Sequence, residues 1–119
     1  MVQSYRDLVV WNKAMDLVTE IYRVTMKFPK EELFGLMSQL RRAAVSIPSN
    51  IAEGKGRLSK GEFRQFLGNA RGSLAEVETQ ILIAQNLSYL DETETNILLT
   101  KVEEVGKILN GLISAVKNQ

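Results

Sequence analysis

From residue 8 to residue 27, apolar side chains return every three or four positions, and this spacing constrains the chain more than any other feature. At about 100° per residue, Val10, Trp11, Ala14, Met15, Leu17, Val18, Ile21, Tyr22 and Val24 cover one half of a helical cylinder. Asn12, Lys13, Asp16, Thr19, Glu20, Arg23 and Lys27 cover the other half. Asp7 stands where a cap is wanted. Phe28-Pro29 ends the helix, because the residue before a proline is pushed out of the α region. An apolar half-cylinder is wider than one helix–helix contact needs, so this helix is expected to touch two neighbours.

Three more helices follow from the same spacing. The second starts at Glu31 or Glu32, where acidic side chains favour the positive end of the helix dipole. Its core stripe is Leu33, Leu36, Met37, Leu40, Ala43, Ala44, Ile47 and Ile51. Phe34, Val45, Pro48 and Ala52 form a weaker apolar stripe to one side, with Arg41 among them. Ser59 and Glu62 make a capping box for a third helix over residues 59–86. Its core stripe is Phe63, Phe66, Ala70, Leu74, Val77, Ile81 and Ala84. Asp91 or Thr93 caps a fourth helix that runs to about residue 116, with Leu98, Val102, Val105, Leu109, Leu112, Ile113 and Val116 inward. No segment alternates in the manner of a strand. Four helices on short connections predict an all-α chain, one antiparallel up-down-up-down four-helix bundle over residues 1–119.

Pro48 falls inside the second helical pattern, since Ile47 and Ile51 carry the core stripe through it. It has no amide hydrogen and its ring presses on the carbonyl of Ala44, a loss of about 3 kcal/mol in a straight helix. The expectation is a second helix kinked at Pro48, with Ser46, Ser49 or Asn50 serving the freed backbone groups. The alternative is two helices broken over residues 46–49. Gly54-Lys55-Gly56 reads as a stop signal and a turn. A phosphate loop is the sharper reading of glycine beside lysine, but Walker spacing and a preceding strand are both missing.

Composition removes most chemistry. The 119 residues contain neither cysteine nor histidine. That excludes disulfides, thiolate nucleophiles, zinc sites built on Cys and His, and the Glu-x-x-His pairs of di-iron bundles. Ser46 and Ser49 therefore have no histidine base. Glu53, Glu62, Glu76 and Glu78 lie near one another in sequence, but Glu76 points away from the core stripe, so no shared buried acid pair is indicated. No enzyme, cofactor or metal is expected. The first residues do not read as a signal peptide, and no apolar run is long enough for a bilayer, so a cytoplasmic protein without membrane attachment is the simplest expectation.

Charge is uneven. Residues 1–75 carry twelve Lys and Arg against seven Asp and Glu; residues 76–119 carry three against seven. The excess cations Arg41, Arg42, Lys55, Arg57, Lys60, Arg64 and Arg71 converge on the second helix, the turn and the third helix. Such a ridge can track a phosphate backbone. The same residues also suit a solvated face or ion pairs with Glu76, Glu78, Glu103 or Glu104 of another copy. Phe63 and Phe66 are claimed by the core, so base stacking has no support in the sequence. Gly68, Gly72, Ala75 and Thr79 form a row of small residues away from the third helix's core stripe. Each glycine costs about 0.5–1 kcal/mol inside a helix, and close approach by a second copy is the reason that fits.

At Trp11, Phe28-Pro29, Phe34-Gly35-Leu36, the run from QLRRAA to SIPSNIAEG over residues 39–54, and Gly72-Ser73-Leu74-Ala75-Glu76, the chain resembles the bacterial four-helix-bundle proteins encoded in intervening sequences of 23S ribosomal RNA genes. That family is related to the accessory proteins of diversity-generating retroelements, which associate with a reverse transcriptase and bind nucleic acid as basic pentameric barrels. The resemblance implies a homopentamer, with Phe34, Val45, Pro48, Ala52, Gly68, Gly72 and Ala75 at subunit contacts. It also implies RNA or DNA as a partner, for which the charge pattern offers Arg41, Arg42, Lys55, Arg57, Lys60, Arg64 and Arg71; Arg41 and Arg42, inside the matched run, equally suit a subunit joint. A protein adaptor without nucleic-acid affinity, its partner for instance a polymerase, is the other reading. No catalytic residue carries over.

Overall fold

The computed structural model describes residues 4–117. Four helices, α1 (Val9–Thr25), α2 (Leu36–Lys55), α3 (Lys60–Asn86) and α4 (Glu92–Lys117), form an antiparallel bundle of about 45 × 24 × 19 Å. Each helix packs on its chain neighbour, and α1 also packs on α4, which closes the ring around one core. The core follows the apolar stripes closely. Leu17, Ile21, Leu40, Ile47, Ile51, Leu67, Ile81, Leu98 and Leu109 are wholly buried.

Three local readings change, and one alternative is set aside. Short 3₁₀ turns at Tyr5–Asp7 and Lys30–Glu32 precede the first two α-helices. Leu8 therefore takes the N-cap position of α1 in place of Asp7, with no side-chain cap. α2 begins at Leu36 rather than at Glu31 or Glu32, which leaves Leu33 half exposed outside the core. On α3, Leu67 takes a fully buried place, while Phe63 and Phe66 are half-buried beside the turn. α2 is one helix with Pro48 inside it, not two helices broken over residues 46–49. Its neighbour Asn50 donates to the carbonyl of Ser46 at 2.8 Å and to Ser46 Oγ at 2.9 Å, and Ser46 Oγ pairs with Ser73 Oγ of α3 at 2.9 Å.

The stop signal at residues 54–56 holds, since α2 ends at Lys55, but Gly54 is not the capping residue. It lies inside α2, buried, and Gly56 caps the helix by donating to the carbonyls of Ala52 and Glu53 at 3.2 Å each. A Cβ on residue 54 would fall 2.6 Å from Cβ of Phe66 and 3.1 Å from Cδ1 of Phe63. The absent side chain is what lets α2 and α3 converge at their turn.

The opposite end is held by polar groups. Glu32 reaches over Gly35 and accepts from the backbone N–H of Leu36 at 2.9 Å, which serves one free amide at the start of α2. Its other oxygen accepts from the Tyr89 hydroxyl at 2.9 Å, and the Tyr89 ring packs 5.3 Å from that of Phe28. Tyr89 is aimed there by the end of α3. Ser88 adopts φ 65°, its N–H donates to Gln85 O at 2.9 Å, and the Tyr89 N–H donates to Ala84 O at 2.9 Å. This is a Schellman termination with serine in the place glycine usually takes. Asp91 and Glu94 then cap α4 reciprocally, at 2.7 and 3.0 Å.

The Leu36 amide, and secondarily the Tyr89 hydroxyl, hold the Glu32 carboxyl below its ordinary value, while the Glu32 carboxylate raises that of Tyr89. A depressed carboxyl binds fewer protons folded than unfolded, so its stabilisation is complete above the ordinary carboxylate range and vanishes as pH falls through the folded value. Wild type should melt above Glu32→Gln at pH 7 in a thermal scan. The gap should close as pH falls below about 4, near the unperturbed glutamate value.

Candidate nucleic-acid interface

The α2–α3 turn is built by four local bonds. Gly56 caps α2, the Arg57 N–H donates to Gly54 O at 3.1 Å, and Ser59 Oγ accepts from the Glu62 N–H at 3.1 Å to start α3. The turn therefore presents Lys55, Arg57, Lys60 and, one turn along α3, Arg64 at one end of the bundle.

The seven sequence-predicted cations do not share one role. Arg41 is turned onto α1. Its Nε donates to Thr25 Oγ1 at 2.8 Å, a terminal nitrogen donates to Tyr22 O at 3.2 Å, and the guanidinium lies 4.4 Å from the Tyr22 ring centre. Thr25 is fully buried and passes its own proton to Ile21 O at 2.7 Å. Arg41 thus closes the carboxyl end of α1, the end at which cations are favoured. Arg57 bonds Glu53 at 2.6 Å, approaches Glu62 at 3.9 Å and stacks 4.7 Å from the Phe66 ring centre. Lys55 lies 5.7 Å from the Phe63 ring centre. Arg71 donates to Asn110 Oδ1 on α4 at 3.1 Å. Among the described residues, Arg42, Lys60 and Arg64 form no ion pair. Arg42 lines the α2–α3 groove with Ser73 and Glu76. Ser73 and Arg71 are two positions apart, roughly 160° around the helix, so Arg42 and Arg71 lie on opposite flanks of α3.

The candidate contact residues divide similarly. Phe34 is 92% exposed and Val45 40%, Ala52 is half-buried, and Pro48 is buried. Val45, Pro48 and Ala52 join Trp11, Met15 and Val18 in a shallow groove of about 290 Å³ between α1 and α2. Phe34 stands apart from it, near the α1–α2 connection. Gly68, Gly72 and Ala75 lie on the outer side of α3, and a Cβ added at Gly68 or Gly72 would meet nothing within 4 Å. Neither glycine is required by the chain's own packing. Sequence reasoning missed Leu58, which is wholly exposed at the tip of the turn beside Arg57. Its place between a C-terminal stop and an N-cap serine was the signal.

The fold and this surface define a small antiparallel four-helix bundle whose candidate site is its outside. Within that class the chain belongs to the 23S rRNA-intervening sequence protein family, whose sequence model matches residues 6–111. It is also similar to the crystal structure of a protein of unknown function from the S23 ribosomal protein family of Bacteroides thetaiotaomicron, with a TM-score of 0.82 and 21% identity over 89% of this chain and 96% of that one. That likeness shows the fold. No curated protein matches the chain. Among the described residues, no helix is long and apolar enough to cross a membrane, and no group of three or more acidic side chains is placed to hold a metal ion.

Replacing Arg41 strips a partner from a buried hydroxyl, whereas replacing Arg42 strips none. Arg41→Ala should lose about 1–2 kcal/mol in denaturant unfolding, and Arg42→Ala less than about 0.5 kcal/mol.

Proposed function

We propose that this protein is a non-enzymatic, self-assembling helical scaffold that carries nucleic acid on the cations around the α2–α3 turn. The observation that supports this reading best is that Lys60 and Arg64, at the turn, stand exposed without a carboxylate partner among the described residues. Lys55 and Arg71 touch only an aromatic ring and a neutral amide, so their charge is also uncompensated. Arg41 and Arg57 serve the fold first. Self-assembly covers the outer face of α3, where two helix-interior glycines have no packing reason within one chain. The family resemblance supports five copies, and the absence of cysteine supports a cytoplasmic protein.

A second reading, a protein adaptor with a partner such as a reverse transcriptase, draws on the exposed Phe34 and the apolar α1–α2 groove. Salt separates the two. If Lys55, Lys60, Arg64 and Arg71 each neutralise one phosphate of a single strand, affinity should fall roughly 50-fold between about 50 and 200 mM salt. Fluorescence anisotropy of a labelled oligonucleotide measures this, and light scattering alongside should give a multiple of the 13.4 kDa chain mass. No binding at either salt concentration contradicts the nucleic-acid reading and leaves the adaptor.

A further inference from the structure

The cations of the turn do not stand on a flat surface. They rim a pocket of about 380 Å³ at the end of the bundle, bounded by the turn, the first turn of α3 and the last turns of α4. Lys55 and Lys60 are on its lip, and Leu58, Phe63, Leu112 and Val116 form its walls. Its size is at the lower end of the range for small-molecule sites. Apolar walls, exposed at Leu58 and half-buried at Phe63 and Leu112, beneath a cationic lip suit a ligand that is apolar at one end and anionic at the other.

We propose that this pocket takes one unstacked base of a single-stranded nucleic acid, with the flanking phosphates on Lys55 and Lys60; this rests on the nucleic-acid reading above. Three observations favour a single strand. Leu58 is wholly exposed, so it makes no packing contribution to its own chain and is free to press on a ligand. Phe63 is only half-buried, so part of its ring faces the pocket, where a base with its sequence-tolerant π-face can lie against it. Arg57 is tied to Glu53 and held over Phe66, so it acts as a fixed wall, while Lys60 keeps its charge for phosphate. A duplex keeps its bases in the stack and offers the pocket nothing apolar. An anionic membrane would meet one lone leucine rather than the apolar stripe of an interfacial helix.

The test compares two short strands of equal length on the full chain by anisotropy at one salt concentration: a thymidine oligonucleotide and an abasic phosphodiester. The thymidine strand should bind about tenfold more tightly, within the range of one stacked base. Leu58→Ser lies where nothing packs on it, and should reduce thymidine-strand affinity to the abasic level while leaving abasic binding unchanged. Lys60→Gln should weaken both. Methyl resonances of Leu58, Leu112 and Val116 should shift on addition of the thymidine strand alone. Equal, salt-dependent binding of both strands overturns the base pocket and leaves the phosphate reading standing. Binding of neither strand removes both. Thymidine monophosphate binding as tightly as the strand makes the ligand a free nucleotide and overturns the proposal. So does Leu58-dependent binding to phosphatidylserine vesicles without strand binding.

Discussion

α2 and α3 can meet at their turn only because residue 54 carries no side chain. The position its Cβ would take is filled by the base of Phe66 and the ring edge of Phe63. From that point the two helices remain in contact through small and polar groups, with Ser46 and Ser73 paired across them, and they form the most extensively packed pair in the bundle. The convergence also sets the functional surface. It fixes where α3 starts, and therefore where Lys55, Arg57, Lys60 and Phe63 stand relative to one another.

The far end is secured by different means. There the connections are longer, and the chain uses directional bonds in place of close backbone approach. Arg41 closes α1, Glu32 opens α2, and Tyr89 ties the α3–α4 connection to Glu32. An ion pair between Lys27 and Glu94 adds a further link from the end of α1 to α4. One consequence concerns function directly. Arg41 and Arg42 are adjacent in sequence and alike in chemistry, yet one is a helix cap and the other is free. A charge count cannot separate them, because the difference lies in a buried threonine sixteen residues away.

Much of the bundle was legible in the sequence because apolar spacing is a local property. Most of the α1 and α4 stripes lie where periodicity put them, although Met15 and Tyr22 at the edge of the α1 stripe are exposed, and the Ser59 and Asp91 caps follow from side chains within one turn. Positions that failed depend on partners distant in sequence. Leu33 kept the helical period, but a 3₁₀ turn and the Glu32 cap moved the start of α2 beyond it. Gly56 supplies the stop that residues 54–56 signalled, whereas the reason for glycine at 54 sits on another helix. On α3 the residues Ala70, Leu74, Val77, Ile81 and Ala84 are buried where the stripe put them, but in its first turns Leu67 takes the buried place and Phe63 and Phe66 are half-buried. The candidate site was legible as composition, an excess of cations between residues 41 and 71, and not as geometry. Nothing in the sequence separates the flank of α3 that carries Arg42 from the flank that carries Arg71, or shows that Leu58 has no contact.

The seam at residue 54 is tested most directly by thermal unfolding of Gly54→Ala. Helix propensity alone makes alanine better than glycine inside a helix by about 0.5–1 kcal/mol, so a seam with room to spare gives a higher melting temperature. The close approach described here gives the opposite sign, since overpacking a filled contact costs about 1–3 kcal/mol. A melting temperature a few degrees below wild type is the result this account requires, and an unchanged or raised one contradicts it.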